Sequence, residues 1–139
     1  MSSVPARAQR IFHVLVVDDD PAMRLMVRSM IERDPRLQVI SEAFNGRDAV
    51  AMAERTCPDA VLLGLQMPFM DGITAAGLIK RVCPNTSVII FSAVTTTTLV
   101  QKAFDAGADL YLSKTTPPAE LVDAINMMCA RAARLSETA

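Results

Sequence analysis

Three carboxylates in a row, Asp18, Asp19 and Asp20, follow the apolar run Val14-Leu15-Val16-Val17 and precede Pro21. Asp20 and Pro21 together start a helix: an Asp side chain accepts from the free N–H groups of a first turn, and Pro gives up a donor that has no intrahelical partner there. Asp18 and Asp19 are not needed for that cap. Two extra carboxylates at the end of a buried strand repel each other unless a cation or a lysine sits with them, so they mark a site that handles positive charge. Other polar residues end apolar segments in the same way. Ser92 closes Val88-Ile89-Ile90-Phe91, and Lys114 closes the segment that starts at Asp109. The run Ala60-Val61-Leu62-Leu63 ends instead in Gly64, followed by the loop from Gln66 to Gly72.

Placing these residues together requires a particular order of elements. Continuous apolar runs read as strands buried on both faces, and the pattern predicts strands over 13–18, 37–41, 60–65, 87–93 and 109–114. Between them, helical spacing predicts helices over 21–33, 47–55 and 73–81, a short or late-starting fourth helix after the β-branched run Thr95 to Thr98, and a last helix from Thr115-Thr116-Pro117-Pro118 to about residue 133. In the first helix Met23, Met26, Val27, Met30 and Ile31 form a packing stripe. In the last, Leu121, Val122, Ile125, Met128 and Cys129 face inward. Such alternation specifies an α/β fold with a parallel sheet and right-handed crossovers. Strands 1 and 3 carry the most continuous apolar runs and belong at the centre. The expectation is therefore a single flavodoxin-like (βα)5 domain, doubly wound, in strand order 2-1-3-4-5. Its switch point lies between strands 1 and 3, where Asp18, Asp19 and Gly64 would meet.

Composition narrows the function classes. The 139 residues suit one domain, and 51% hydrophobic with only 4% aromatic residues implies an aliphatic core. A net charge of -1 supplies no electrostatic reason for nucleic-acid or membrane binding. No apolar run approaches the roughly 20 residues of a membrane span, and the first ten residues lack a secretory apolar stretch, so a cytoplasmic protein is expected. Residues 1–11 read as a flexible tail, 12–130 as the domain, and 131–139 as a C-terminal tail or the start of a linker. Cys57, Cys83 and Cys129 are odd in number and far apart with no C-x-x-C spacing, and are expected as reduced structural thiols. His13, at the amino edge of the sheet, reads as a surface histidine.

In their order these segments resemble the receiver domain of bacterial response regulators (CheY-like), from about Ile11 to Ala130. The resemblance rests on the acidic pair after strand 1, Met67-Pro68-Phe69-Met70-Asp71-Gly72 after strand 3, Ser92-Ala93 ending strand 4 and Lys114 ending strand 5. The stretch from Ala106 to Pro118 is similar to receivers of LuxR/NarL-type regulators. The resemblance implies that Asp18, Asp19 and the backbone carbonyl of Gln66 would bind Mg²⁺, that Ser92 would bond a phosphoryl oxygen, and that Lys114 would pair with the charged site. It implies Tyr111 as a switch aromatic on the output face. It also implies signalling partners (a histidine kinase, an output domain or a regulator) and no enzyme activity. The contact surface it implies is helix 4, strand 5 and helix 5, for a homodimer or an output domain; the oligomeric state is left open, and the region of Met127, Met128 and Leu135 is a candidate dimer contact.

One departure decides the functional expectation. The attacking carboxylate of the family belongs at the end of strand 3, where this chain has Gly64, and glycine has no side-chain oxygen to carry a phosphoryl group. Asp59 lies five residues earlier, roughly 16 Å away along a strand, and Asp71 lies beyond the loop. The expected protein is a degenerate receiver, an interaction module independent of phosphorylation. Mg²⁺ binding should be weak or absent, no other cofactor is expected, and Lys114 should be paired with Asp18 or Asp19. The alternative is a phosphoacceptor receiver whose Asp has been replaced at Gly64, by engineering or variation, and which regulates transcription through a DNA-binding domain. A haloacid-dehalogenase-like phosphatase fits less well, since Asp18-x-Asp20 is followed by Pro21 and Ala22 where that motif continues with Thr or Val. A flavodoxin-type flavin site fits poorly too, because the carboxylates ending strand 1 would repel a phosphate.

Overall fold

The computed structural model describes residues 10–138, and all five strands among them pair in parallel, in the order β2-β1-β3-β4-β5. The elements are β1 (Phe12–Val17), α1 (Pro21–Ile31), β2 (Leu37–Ala43), α2 (Gly46–Thr56), β3 (Ala60–Leu63), α3 (Gly72–Val82), β4 (Ser87–Ser92), α4 (Thr97–Ala106), β5 (Leu110–Ser113) and α5 (Pro118–Thr138). This is the flavodoxin-like order expected from the apolar runs. Val14, Leu15, Val16 and Val17 are each at most 2% exposed, because β1 lies between β2 and β3 with helices on both faces. Alternation along the strands sends Val14, Val16, Leu62, Ile89 and Phe91 toward α1 and α5, against Val27, Leu121 and Ile125. Leu15, Val17, Leu63 and Ile90 face the other side, where Ala49, Ala53, Ala75, Ala76 and Ala103 let α2, α3 and α4 sit close to the sheet. β2, at the edge, carries a register shift opposite Val14 and Leu15.

Local side chains start four of the helices. Asp20 caps α1 by accepting from the Ala22 N–H at 3.0 Å, and Asn45 caps α2 by accepting from Asp48 at 2.8 Å. Asp71 caps α3 by accepting from Thr74 at 2.9 Å, and Thr96 caps α4. The run Thr95 to Thr98 thus delays α4 to Thr97, as its β-branched residues predict. The β3–α3 connection is tied by two backbone bonds, from Gly72 N to the Leu65 carbonyl (2.7 Å) and from Gly46 N to the Met70 carbonyl (3.1 Å). A Cβ on Gly72 would overlap the Gly64 carbonyl oxygen, so no larger residue fits there.

α5 runs on as helix to Thr138, past the boundary expected at residue 130, and the first nine residues of the tail assigned to 1–11 lie outside the described residues. Met128 faces inward at 9% exposure and packs under the sheet, as the spacing of the last helix predicts, while Met127 and Leu135 of the same helix are exposed. The cysteines are not all reduced thiols: Cys57 and Cys83 are joined by a disulfide with Cα atoms 5.6 Å apart. Their separation of 26 residues hid the pairing, which arises because α2 and α3 both end at the amino edge of the sheet. Cys129 is free and buried, and burial pushes its thiol up to about 12.

Two outcomes follow from this packing. Gly72→Ala should destabilise the chain by about 3 kcal/mol in urea denaturation, because the added methyl meets backbone that cannot rotate away. At the α1–β2 turn, the Arg36 guanidinium beside Asp34 holds that carboxyl at about 2 instead of 3.8, with Asn126 of α5 donating to it as well. A folded value below the unfolded one means that Asp34 contributes stability above pH 3.8 and loses it as pH falls toward 2. Asp34→Asn should therefore flatten the acid limb of the stability curve over that interval.

Candidate functional site

The carboxyl ends of β1, β3, β4 and β5 surround a small cavity of about 220 Å³, lined by Asp18, Asp19, Gly64, Gln66, Ser92 and Lys114 together with Leu65, Ala93 and Val94. Each polar residue arrives there because it is the first residue of its segment that the buried strand no longer needs to be apolar. Asp18 closes β1 and is only 5% exposed. Its Oδ2 lies 2.9 Å from Lys114 Nζ, and its Oδ1 accepts from the Asp20 N–H at 2.9 Å. Both carboxylate oxygens are therefore engaged. Asp19 is exposed, and the lysine takes Asp18 as the direct partner.

Lys114 is positioned through β5. Its backbone N–H donates to the Ser92 carbonyl at 2.9 Å, which continues the β4–β5 ladder by one residue and brings lysine and serine side by side. The Ser92 side chain is 4% exposed, and its Oγ accepts from the Val94 N–H at 3.0 Å. Tyr111 does not line the cavity. Its hydroxyl donates to the Val94 carbonyl, so it pins the loop between β4 and α4 whose other end holds Ser92.

Gly64 sits where the chain leaves β3, and its N–H donates to the Val17 carbonyl at 2.8 Å. Gly107 is the one glycine with a positive φ among the described residues, so Gly64 has a backbone conformation that any residue adopts. A Cβ built on Gly64 would lie 3.4 Å from Asp18 Oδ2 and 3.4 Å from the Val17 carbonyl, which is ordinary contact. Neither strain nor crowding explains the glycine. The other nearby carboxylates already have duties: Asp59 is at the opposite edge, accepting from the His13 N–H at 2.8 Å, and Asp71 caps α3.

A second cation escaped the reading of the sequence. Arg24 Nη1 donates to the Asp18 backbone carbonyl at 2.7 Å, while its Nε pairs with Glu42 at 3.3 Å. Arg24 lies between the methionines of α1 and reads as one of the arginines of its polar face; nothing in helical spacing signals a reach of six residues back to a strand end. As arranged, the site offers a divalent cation few free protein donors. Asp18 is already committed to Lys114, which leaves Asp19 and the Gln66 carbonyl as the protein oxygens that would meet a hard ion, with water in its remaining positions. Among the described residues, no group of three or more His, Cys, Asp or Glu is arranged to hold a metal.

The profile of the response regulator receiver domain matches residues 14–126. A transcriptional regulatory protein of Bacillus subtilis (strain 168), the uncharacterized YxjL, is 40% identical over 112 residues, covering 81% of this chain and 51% of that protein. The nitrate/nitrite response regulator protein NarP of Escherichia coli (strain K12) is 38% identical over 114 residues, covering 82% of this chain and 53% of NarP. The chain thus spans about half the length of these curated relatives. Among solved structures, a two-component response regulator of the LuxR family from Aurantimonas sp. SI85-9A1 superposes with a TM-score of 0.82 at 35% identity, covering 86% of both chains. With the strand order, the site at the carboxyl ends of β1, β3, β4 and β5, and a profile match over most of its length, the chain belongs to the response regulator receiver domains of two-component systems.

Proposed function

We propose that this receiver is a pseudo-receiver: a protein-interaction module of two-component signalling whose behaviour does not depend on phosphorylation. Receiver domains are signalling modules that interact with histidine kinases, phosphatases and output domains, and are generally not enzymes. The observation that supports the reading is bare backbone at Gly64 in the cavity lined by Asp18, Asp19, Ser92 and Lys114, at the strand end where the resemblance to the family expects the acceptor carboxylate. Phosphoryl transfer runs on positioning and charge neutralisation, but it still needs an oxygen to receive the group. Mg²⁺ binds weakly here, because one of two carboxylates is already neutralised by Lys114. The working surface is α4, β5 and α5, where Phe104 (42% exposed) and Met127 (59%) offer apolar contact to an output domain or a second copy of the chain. A cytoplasmic setting suits such a module, and among the described residues no helix is long and apolar enough to cross a membrane. The net charge of -1 gives no footing for direct nucleic-acid contact.

A second reading is favoured by the room at Gly64. Since a Cβ there makes only ordinary contacts, the position accepts an aspartate, and the chain is then a phosphoacceptor receiver in which that residue has been replaced. Longer relatives, of which the matched segment spans about half and one of which is named a transcriptional regulatory protein, fit a regulator acting through a further DNA-binding domain.

Incubation with acetyl phosphate and Mg²⁺, followed by intact-mass measurement, tests both. The unsubstituted chain should gain no phosphoryl group, and calorimetry should find no tight Mg²⁺ site; an acid-stable, hydroxylamine-labile phosphoryl group on it would sink the proposal. Gly64→Asp separates the readings. If it gains one phosphoryl group the second reading is supported, and if it does not the site has become a scaffold.

The ion pair is tested by a double-mutant cycle in urea. Lys114→Met strands the Asp18 carboxylate, which is 7% exposed, and should cost about 2 kcal/mol. Adding Asp18→Asn should recover part of that loss, since no charge is then left buried.

A further inference from the structure

At the edge of the sheet opposite the receiver site, Cys57 and Cys83 end α2 and α3. Their surroundings differ. Cys57 is exposed and holds φ 38 and ψ 66, a left-handed conformation that helix ends commonly give to glycine. A side chain is kept there at a cost in backbone freedom, and it is a sulfur that the helix end presents to solvent. Cys83 is 3% exposed, and its Sγ lies 3.1 Å from the Ala53 carbonyl oxygen. When the bond is open, that carbonyl is in place to accept from the Cys83 thiol, so both redox forms satisfy the buried sulfur. A cleft of about 170 Å³, lined by both cysteines with Pro58, Val82 and Pro84 among others, opens beside the pair. Cys129 does not compete, being 2% exposed on the α5 side of the sheet.

We propose that Cys57 and Cys83 form a reversible thiol–disulfide couple, in which Cys57 exchanges with a small-molecule disulfide or thiol and Cys83 resolves the mixed disulfide. In the oxidising direction the Cys57 thiolate attacks one sulfur of a small disulfide, and one thiolate leaves. Cys83 gives its proton to solvent and attacks Cys57 Sγ, and the second thiolate leaves. Two protein thiols lose two electrons and two protons, and one small disulfide becomes two thiols. The reverse sequence begins with attack of a small thiolate on Cys57, the accessible sulfur. The bond closes a loop that contains β3, Gly64 and all of α3, so oxidation restrains the unfolded form of the segment that carries the receiver site.

The full chain is equilibrated in glutathione buffers from fully reduced to fully oxidised, quenched with N-ethylmaleimide and mapped by mass spectrometry. A single transition is expected between free thiols and a Cys57–Cys83 disulfide, with Cys129 unlabelled throughout unless the chain is denatured. The oxidised form should melt higher by roughly 5–10 °C. Cys83→Ser should stop at a glutathione mixed disulfide on Cys57, Cys57→Ser should form no internal bond, and Cys129→Ser should keep the transition of the unsubstituted chain. Three results would overturn the proposal: both thiols still labelled in the most oxidising buffer, a bond that survives the fully reducing buffer without denaturant, or a persistent mixed disulfide on the unsubstituted chain.

Discussion

A carboxylate cannot be carried into the end of a fully buried strand without a positive charge to meet it. Asp18 is in that position. β1 is the second strand of a five-stranded sheet, covered on both faces, and the residue that ends it inherits the burial of the strand. Lys114, delivered by β5 from the other side of β3 and β4, supplies the charge, and the Asp20 N–H takes the second oxygen. The pair therefore links the first and last strands across the cavity. In this strand order β3 and β4 stand between β1 and β5, and the long side chain of Lys114 spans the cavity at their carboxyl ends to reach Asp18.

Two glycines on the same loop show how differently one residue type can be used. Gly72 is demanded by close approach: a Cβ there would overlap the carbonyl of Gly64, and the turn into α3 could not be made. Gly64 is under no such demand, with an ordinary backbone and ordinary distances around the position where a side chain would stand. The first is a requirement of folding. The second meets no such demand, and it is on this residue that the pseudo-receiver proposal rests.

A parallel sheet also separates two kinds of chemistry by its polarity. All strands end at one edge, so polar residues that close apolar runs converge there, and the charged cavity forms. All the helices end at the other edge, where their last turns converge without any shared pattern in sequence. Cys57 and Cys83 meet there as the C-terminal neighbours of α2 and α3, and Lys80 of α3 reaches Asp109 ahead of β5 at 3.1 Å.

Much of this was legible in the residues themselves, for a local reason. Continuous apolar runs identify buried strands, helical spacing identifies amphipathic helices, and Asp20 with Pro21 marks where the first helix begins; all of these are signals a few residues long. From them come the element order, the strand order 2-1-3-4-5, the gathering of Asp18, Ser92 and Lys114 at one edge, and the need of Lys114 for an acidic partner. The choice of Asp18 over Asp19, the reach of Arg24 to the Asp18 carbonyl and the joining of Cys57 to Cys83 were not legible. Each of these is a distance between elements, set by how far a side chain can extend and by which helix ends share an edge, and such distances exist only once the whole sheet has been assembled.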